Sequence, residues 1–374
     1  MATLVTRAFQ AGIHLQSQDI KFNEWLSQFT QCLAPWATHI LVGVPTIVNL
    51  TDEPIPWHRH IPLYNPLSIY WRYLIICDRR LRCRDWSPEC MAATCTMFWD
   101  GSRWSSTERD AEEHLHRLRP PPYSRTPILS TPMLGTMIVL LQGSQALYEV
   151  FQVASSGFVL TQGVAGVFFP IAVSSLFRLA PAFWITNDFA FRNGRSKDLE
   201  ASFPATELTN LSNRTTASQT ERAEDSVMPP VGGLIDTGHP NFDDQTHWKA
   251  IVLRIAVMAI NIAIFVGQVL HIAHGFTFST WQSASGVALH FLYHSLMGTM
   301  VVLFPYYLYR KRGDDLAIAC LNSKWYTNWT IAWYLGAVAV ITINAVEMRR
   351  TYCGAYTTYL PASGLDKELC GFYT

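Results

Sequence analysis

Five stretches of this sequence are apolar over the length a helix needs to cross a bilayer, and that constrains the fold more than any motif. They run from Met133 to Phe151, Gly157 to Leu179, Ala250 to Ala273, Ala284 to Tyr306 and Asn328 to Val346. A hydrocarbon core takes ~20 helical residues to span. Backbone inside it must satisfy its own hydrogen bonds, which a helix does. The expectation is an all-α, polytopic helical membrane protein with about five transmembrane helices. Two weaker runs lie upstream, Ala37 to Leu50 and Leu67 to Cys77, the second carrying Arg72. Each is short for a span, so they read as buried or interfacial helices. As a crossing hairpin they would make seven spans.

Composition agrees. Only 15% of the 374 residues are charged, while 49% are hydrophobic and 13% aromatic; soluble domains carry about 25% charged residues. The 28 Lys+Arg balance the 28 Asp+Glu, which argues against a nucleic-acid partner and leaves the lipid bilayer as the expected one. The N-terminus has no continuous apolar core of signal-peptide length, so an internal span is expected to direct insertion.

Basic residues set the orientation. Before the first span lie 13 Lys+Arg, including RRLRCR at Arg79 to Arg84; FRNGRSK follows the second span and RKR the fourth. The links around Ala154 and between His274 and Trp281 have none. The positive-inside rule puts the basic segments in the cytosol. The expected organisation is a cytosolic N-terminal region (1–126), a two-span half (127–186), a disordered cytosolic loop rich in Ser and Thr (187–247), a three-span half (248–350) and an external tail (351–374). An endoplasmic-reticulum or other endomembrane location suits this layout. In that tail Cys353 and Cys370 are candidates for a disulfide. Cys77, Cys83, Cys90 and Cys95 lack a CxxC pair and read as ordinary thiols in a reducing compartment. Sequons occur at Asn49, Asn210, Asn213 and Asn328; in this orientation none is expected to be glycosylated.

Polar residues within the spans form two stripes. Arg254, Asn261 and Gln268 recur every seven residues in the third span; Gln142 and Glu149, with Gln145 alongside, do so in the first. Against lipid they are costly, so they should face other helices or a wet cavity. Arg254 lies near enough to a helix end to snorkel. The stretch HIAHGFTFSTWQSASGVALHFLYH brings His271 and His274 to the end of one span and His290 and His294 to the start of the next. Glu149 and Glu347 close other spans on the same expected face. Together they are candidate ligands for zinc or haem, or a proton relay. Imidazoles beside water cost little, however, and interfacial histidines are the favoured reading. No GxSxG, Walker, GxGxxG or DDxxD motif is present. FWDGSRWSSTERD, Phe98 to Asp110, reads as an interfacial segment that docks on headgroups.

The stretch NPLSIYWRYLIICDRRLRCRDWSPECMAATCTMFWDG (Asn65 to Gly101), followed by several spans and a Ser/Thr-rich loop, resembles fungal multi-spanning membrane proteins, some encoded in secondary-metabolite gene clusters, including indole-diterpene ones. That resemblance implies an accessory role among membrane-bound biosynthetic enzymes and assigns no catalytic residue. The leading functional expectation is thus a membrane accessory, without cofactor, that scaffolds enzymes or handles a lipophilic intermediate. The alternatives are an intramembrane metal or haem enzyme using the His/Glu set, and a secondary transporter.

Overall fold

The computed structural model describes residues 20–114, 118–119, 122–155, 164–187, 189–191, 247–278, 283–310, 318, 320–354, 356–358 and 365–370. These are mostly helical. Helix α1 (Phe22–Gly43) is followed by strand β1 (Thr46–Asn49), α2 (Pro66–Arg82), α3 (Pro88–Cys95), β2 (Thr96–Trp99), β3 (Trp104–Ser105) and α4 (Glu108–His114). The longer helices are α5 (Thr131–Ser155), α6 (Val164–Ser174), α7 (Trp248–Phe278), α8 (Ala284–Pro305) and α9 (Lys324–Glu347). Two small ladders join β4 (Leu118–Arg119) to β5 (Ala190–Phe191) and β6 (Arg349–Arg350) to β7 (Tyr356–Thr357), and α10 (Leu365–Cys370) ends the described chain. Most of the loop expected at 187–247 lies outside the described residues.

Among the described residues, three helices are long and apolar enough to cross a membrane: Trp248–Leu270, Ala284–Leu308 and Lys324–Glu347. Their outer faces stay uncovered by protein. Val252, Ile255, Ile262, Val266 and Val269 on α7, Phe291 and Val302 on α8, and Leu335 and Val338 on α9 are exposed. Apolar exposure on this scale suits hydrocarbon. The first two expected spans differ from these three. Helix α5 has the length, 25 residues, but Gln142, Gln145 and its glycines dilute its apolar character. Helix α6 covers 11 residues and continues as 3-10 turns at Ser175–Leu179 and Ala182–Trp184; residues 156–163 lie outside the described residues. The two helices meet closely at Gly143, where a Cβ would stand 2.1 Å from Ser175 Oγ and 3.1 Å from the Ala172 carbonyl. A small residue is what lets helices approach so near.

Helix α2 is central to the bundle. Asn65 caps it, its side chain accepting from Leu67 N at 2.8 Å; Pro66 takes the first position, and Arg79, Arg80 and Arg82 sit at the negative end of its dipole. Fifteen of its 17 residues are buried, so it is walled by protein on all sides instead of lying along an interface. It packs against α1, α3 and α7, while α1 lies against α5 and α6. The run expected as a short helix at 37–50 is the end of the 22-residue α1 followed by β1.

A small sheet, absent from the all-α expectation, sits beside α2. The β-branched and aromatic runs TIVN and TMFW pair in parallel, Thr46 opposite Thr96 through Asn49 opposite Trp99. The chain then reverses onto β3 through Asp100–Arg103, with Asp100 Oδ1 accepting from Ser102 N and Arg103 N, both at 2.8 Å. Gly101 takes φ +97°, which glycine alone adopts without strain. This corrects the headgroup-docking expectation for Phe98 to Asp110: Phe98, Trp99 and Trp104 are buried, because the hairpin turns their rings into the protein.

Candidate functional site

Arg254 does not snorkel. Its Nε and Nη2 donate to Asp78 Oδ1 and Oδ2 at 2.7 and 2.8 Å. Asp78, on α2, also accepts from Arg82 Nε at 2.9 Å, and Arg82 reaches both oxygens of Glu108. Asp78 and Arg82 are buried, with side chains 1% and 2% exposed. The pairing is antiparallel: seven residues further along α7, Asn261 Oδ1 lies 3.5 Å from the Tyr70 hydroxyl, eight residues back along α2. The stripe of Arg254 and Asn261 therefore faces α2. A chain segment 176 residues distant supplied the partner, which local spacing cannot reveal. Gln268 is half-buried further along α7; on α5, Gln142 is half-buried and Gln145 exposed.

The His/Glu set is not gathered into one site among the described residues, where no three His, Cys, Asp or Glu side chains converge. His271, His274 and Glu149 lie on helical backbone, but their side chains fall outside the described residues. His290 is half-buried on α8, and His294 Nδ1 lies 2.8 Å from the His290 carbonyl, its ring 6.0 Å from that of Phe265 on α7. Glu347 has a clear structural role. Its two oxygens accept from Ala284 N and Ser285 N, each at 2.9 Å, and Ser283 Oγ accepts from Gly286 N at 3.2 Å. A carboxylate from the end of α9 thus satisfies the free N–H groups opening α8 and meets the positive end of its dipole. Just beyond, a disulfide joins Cys353 to Cys370, and Arg349 pairs with Asp366.

A recess that could hold a ligand lies elsewhere. Helices α1, α6 and α9 leave an apolar groove of about 190 Å³, lined by Phe29, Leu33 and Trp36, by Val167, Phe168 and Ile171, and by Trp333, Tyr334, Ala337, Val338 and Ile341. It is somewhat larger than the apolar cavity of about 150 Å³ that takes benzene. Rings line one side: Phe29 stands edge-on to Phe168 at 5.8 Å, and Trp36 approaches Phe168 at 5.6 Å and Tyr334 at 6.2 Å. The polar handles of the α9 wall are turned away, Trp333 Nε1 donating to Leu292 O at 3.2 Å and the Tyr334 hydroxyl to Tyr64 O at 2.6 Å. Nothing polar on that wall is left to hold a hydrophilic molecule. Val338, which borders the groove, is exposed midway along a helix able to cross the membrane.

One helical turn beyond Trp36 and Ile171 the same two helices become polar. Ser174 Oγ lies 3.3 Å from His39 Nε2. Arg178 donates to Thr136 Oγ1 at 2.9 Å, Val42 O at 2.9 Å and the Tyr73 hydroxyl at 3.2 Å, while Arg72 donates to Gly43 O at 2.7 Å. Both guanidinium groups thus satisfy the last carbonyls of α1, where the helix dipole is negative. Among the described residues no carboxylate pairs with either. Neither the groove nor this seam was found from sequence, because apolar residues on three separate helices read simply as core. No protein-family model, curated protein or solved structure matches the chain.

Proposed function

We propose that this protein is an integral membrane accessory that holds the apolar part of a lipophilic molecule in the groove between α1, α6 and α9. The observation that carries this is the groove itself: an apolar recess of about 190 Å³ with one wall on a helix able to span the bilayer. A chain of methylenes or isoprene units entering there would leave neither water nor a polar wall group unsatisfied. The expected setting, endomembranes on which enzymes of fungal secondary metabolism work, belongs to the same proposal, as do five spans with α5 and α6 as the remaining pair.

The test is occupancy. Protein purified from membranes is extracted and its bound lipophiles are identified by mass spectrometry, beside the variant Ala337→Phe, which fills the recess. The proposal expects a defined apolar compound with the wild type and at least a roughly tenfold loss in the variant, equivalent to about 1.4 kcal/mol. Equal recovery from both proteins would refute it.

A further inference from the structure

Cys83 and Cys90 sit apart from the groove, where α2 hands over to α3. Cys83 directly follows α2, its N–H donating to Arg79 O at 2.9 Å. Cys90 is the third residue of α3, with its N–H on the Ser87 side chain at 3.2 Å. Their sulfurs stand 3.9 Å apart. Both are buried, directly under a connection whose Arg84 and Asp85 are exposed.

We propose that Cys83 and Cys90 are a reversible dithiol–disulfide site that exchanges with small disulfides of the glutathione type. A bond needs about 2.05 Å between sulfurs, and side-chain rotation at two loop-proximal residues can close the gap. The exchange balances without another reagent. The Cys90 thiolate attacks one sulfur of oxidised glutathione and displaces a glutathione thiolate, giving a mixed disulfide. Cys83 then gives its proton to the displaced glutathione thiolate, attacks Cys90 Sγ and releases the second glutathione as its thiolate.

Two further features favour this chemistry over inert thiols. The Cys83 thiol donates to Cys90 and, against the opposing effect of burial, holds the Cys90 thiol below its ordinary value, while Cys83 itself is pushed up, so Cys90 is the one of the two that attacks as a thiolate. Among the described residues no third His, Cys, Asp or Glu joins the pair to make a metal site. The contrast with Cys353 and Cys370, already bonded, separates a fastening from a pair left open. Closing it would tether α3 to the end of α2 that carries Asp78 and Arg82.

The experiment uses the full chain in native membranes. Samples are equilibrated at graded ratios of reduced to oxidised glutathione, quenched in acid, alkylated with N-ethylmaleimide and digested without reduction. The expected result is a peptide pair joined through Cys83 and Cys90 that rises with oxidation while Cys32 and Cys77 remain alkylated. In Cys83→Ser, Cys90 should carry glutathione instead. Three outcomes overturn the proposal: both thiols alkylated at every ratio, the bond forming only when Cys77 is also oxidised, or thiols blocked with no joined peptide. The wild-type titration decides the matter even if the variant fails to fold.

Discussion

The Asp78 network and the α1–α6–α9 groove use their surroundings in opposite ways. Around Asp78, buried charges from α2 and α7 and the half-buried Glu108 that opens α4 close on one another, with Arg254 and Arg82 both on one carboxylate. The groove is lined almost wholly by apolar atoms, and space is left unfilled. The polar seam at Arg72 and Arg178 lies between these extremes, balanced by helix-end carbonyls. The comparison separates two tasks. Charge pairing ties α2 to α7, a helix able to span the membrane, and the unfilled apolar recess is where we propose that a ligand sits.

Breaking the tie should have the largest effect. Asp78→Asn leaves Arg254 and Arg82 buried without their shared carboxylate, and we expect a loss of ~3–5 kcal/mol, read by denaturant or thermal unfolding in detergent. Replacing the pair with apolar residues, Asp78→Leu with Arg254→Met, should recover most of it. If Asp78→Asn alone is neutral, the network does not bind the two parts together. Next, Arg178→Met strands the Val42 carbonyl, at about 1–3 kcal/mol; the Thr136 hydroxyl keeps its bond to the Pro132 carbonyl. A larger loss there than at Asp78 would reverse the ranking of the two regions.

Glu347→Ala should cost about 1 kcal/mol, the worth of a helix cap, and hydrogen exchange should speed up at the first amides of α8 and not at its centre. His290→Ala and His294→Ala should each change stability by less than about 1 kcal/mol and leave bound lipophile unchanged. A loss of bound lipophile in either would move the functional site from the groove to the histidine pairs.

How much was legible in the sequence follows from what each feature needs. Length and hydropathy suffice for a span, so Ala250–Ala273, Ala284–Tyr306 and Asn328–Val346 lie close to α7, α8 and α9. Helix α2 carries Arg72, Asp78, Arg79, Arg80 and Arg82, a pattern that resembles an interfacial segment until Arg254 is brought to it. Glu347 resembled a ligand because a carboxylate near paired histidines suggests metal, and only the folded geometry shows it on the amides of α8. Cys83 and Cys90 are seven apart, too far for a chelating motif, and the turn between α2 and α3 is what brings them together. The groove has no signature at all, since Phe29, Phe168 and Ala337 are ordinary apolar residues until three helices leave a gap.

The groove is tested most directly by photolabelling. A phospholipid or isoprenoid with a diazirine partway along its chain is incubated with the protein in nanodiscs and irradiated, and the adducts are mapped by peptide mass. If the recess holds an apolar chain, label concentrates on peptides containing Trp36, Phe168 and Ala337, saturates with probe concentration and is lost in Ala337→Phe. Label spread along the exposed faces of α7 and α9, unsaturable and unchanged in the variant, would contradict it.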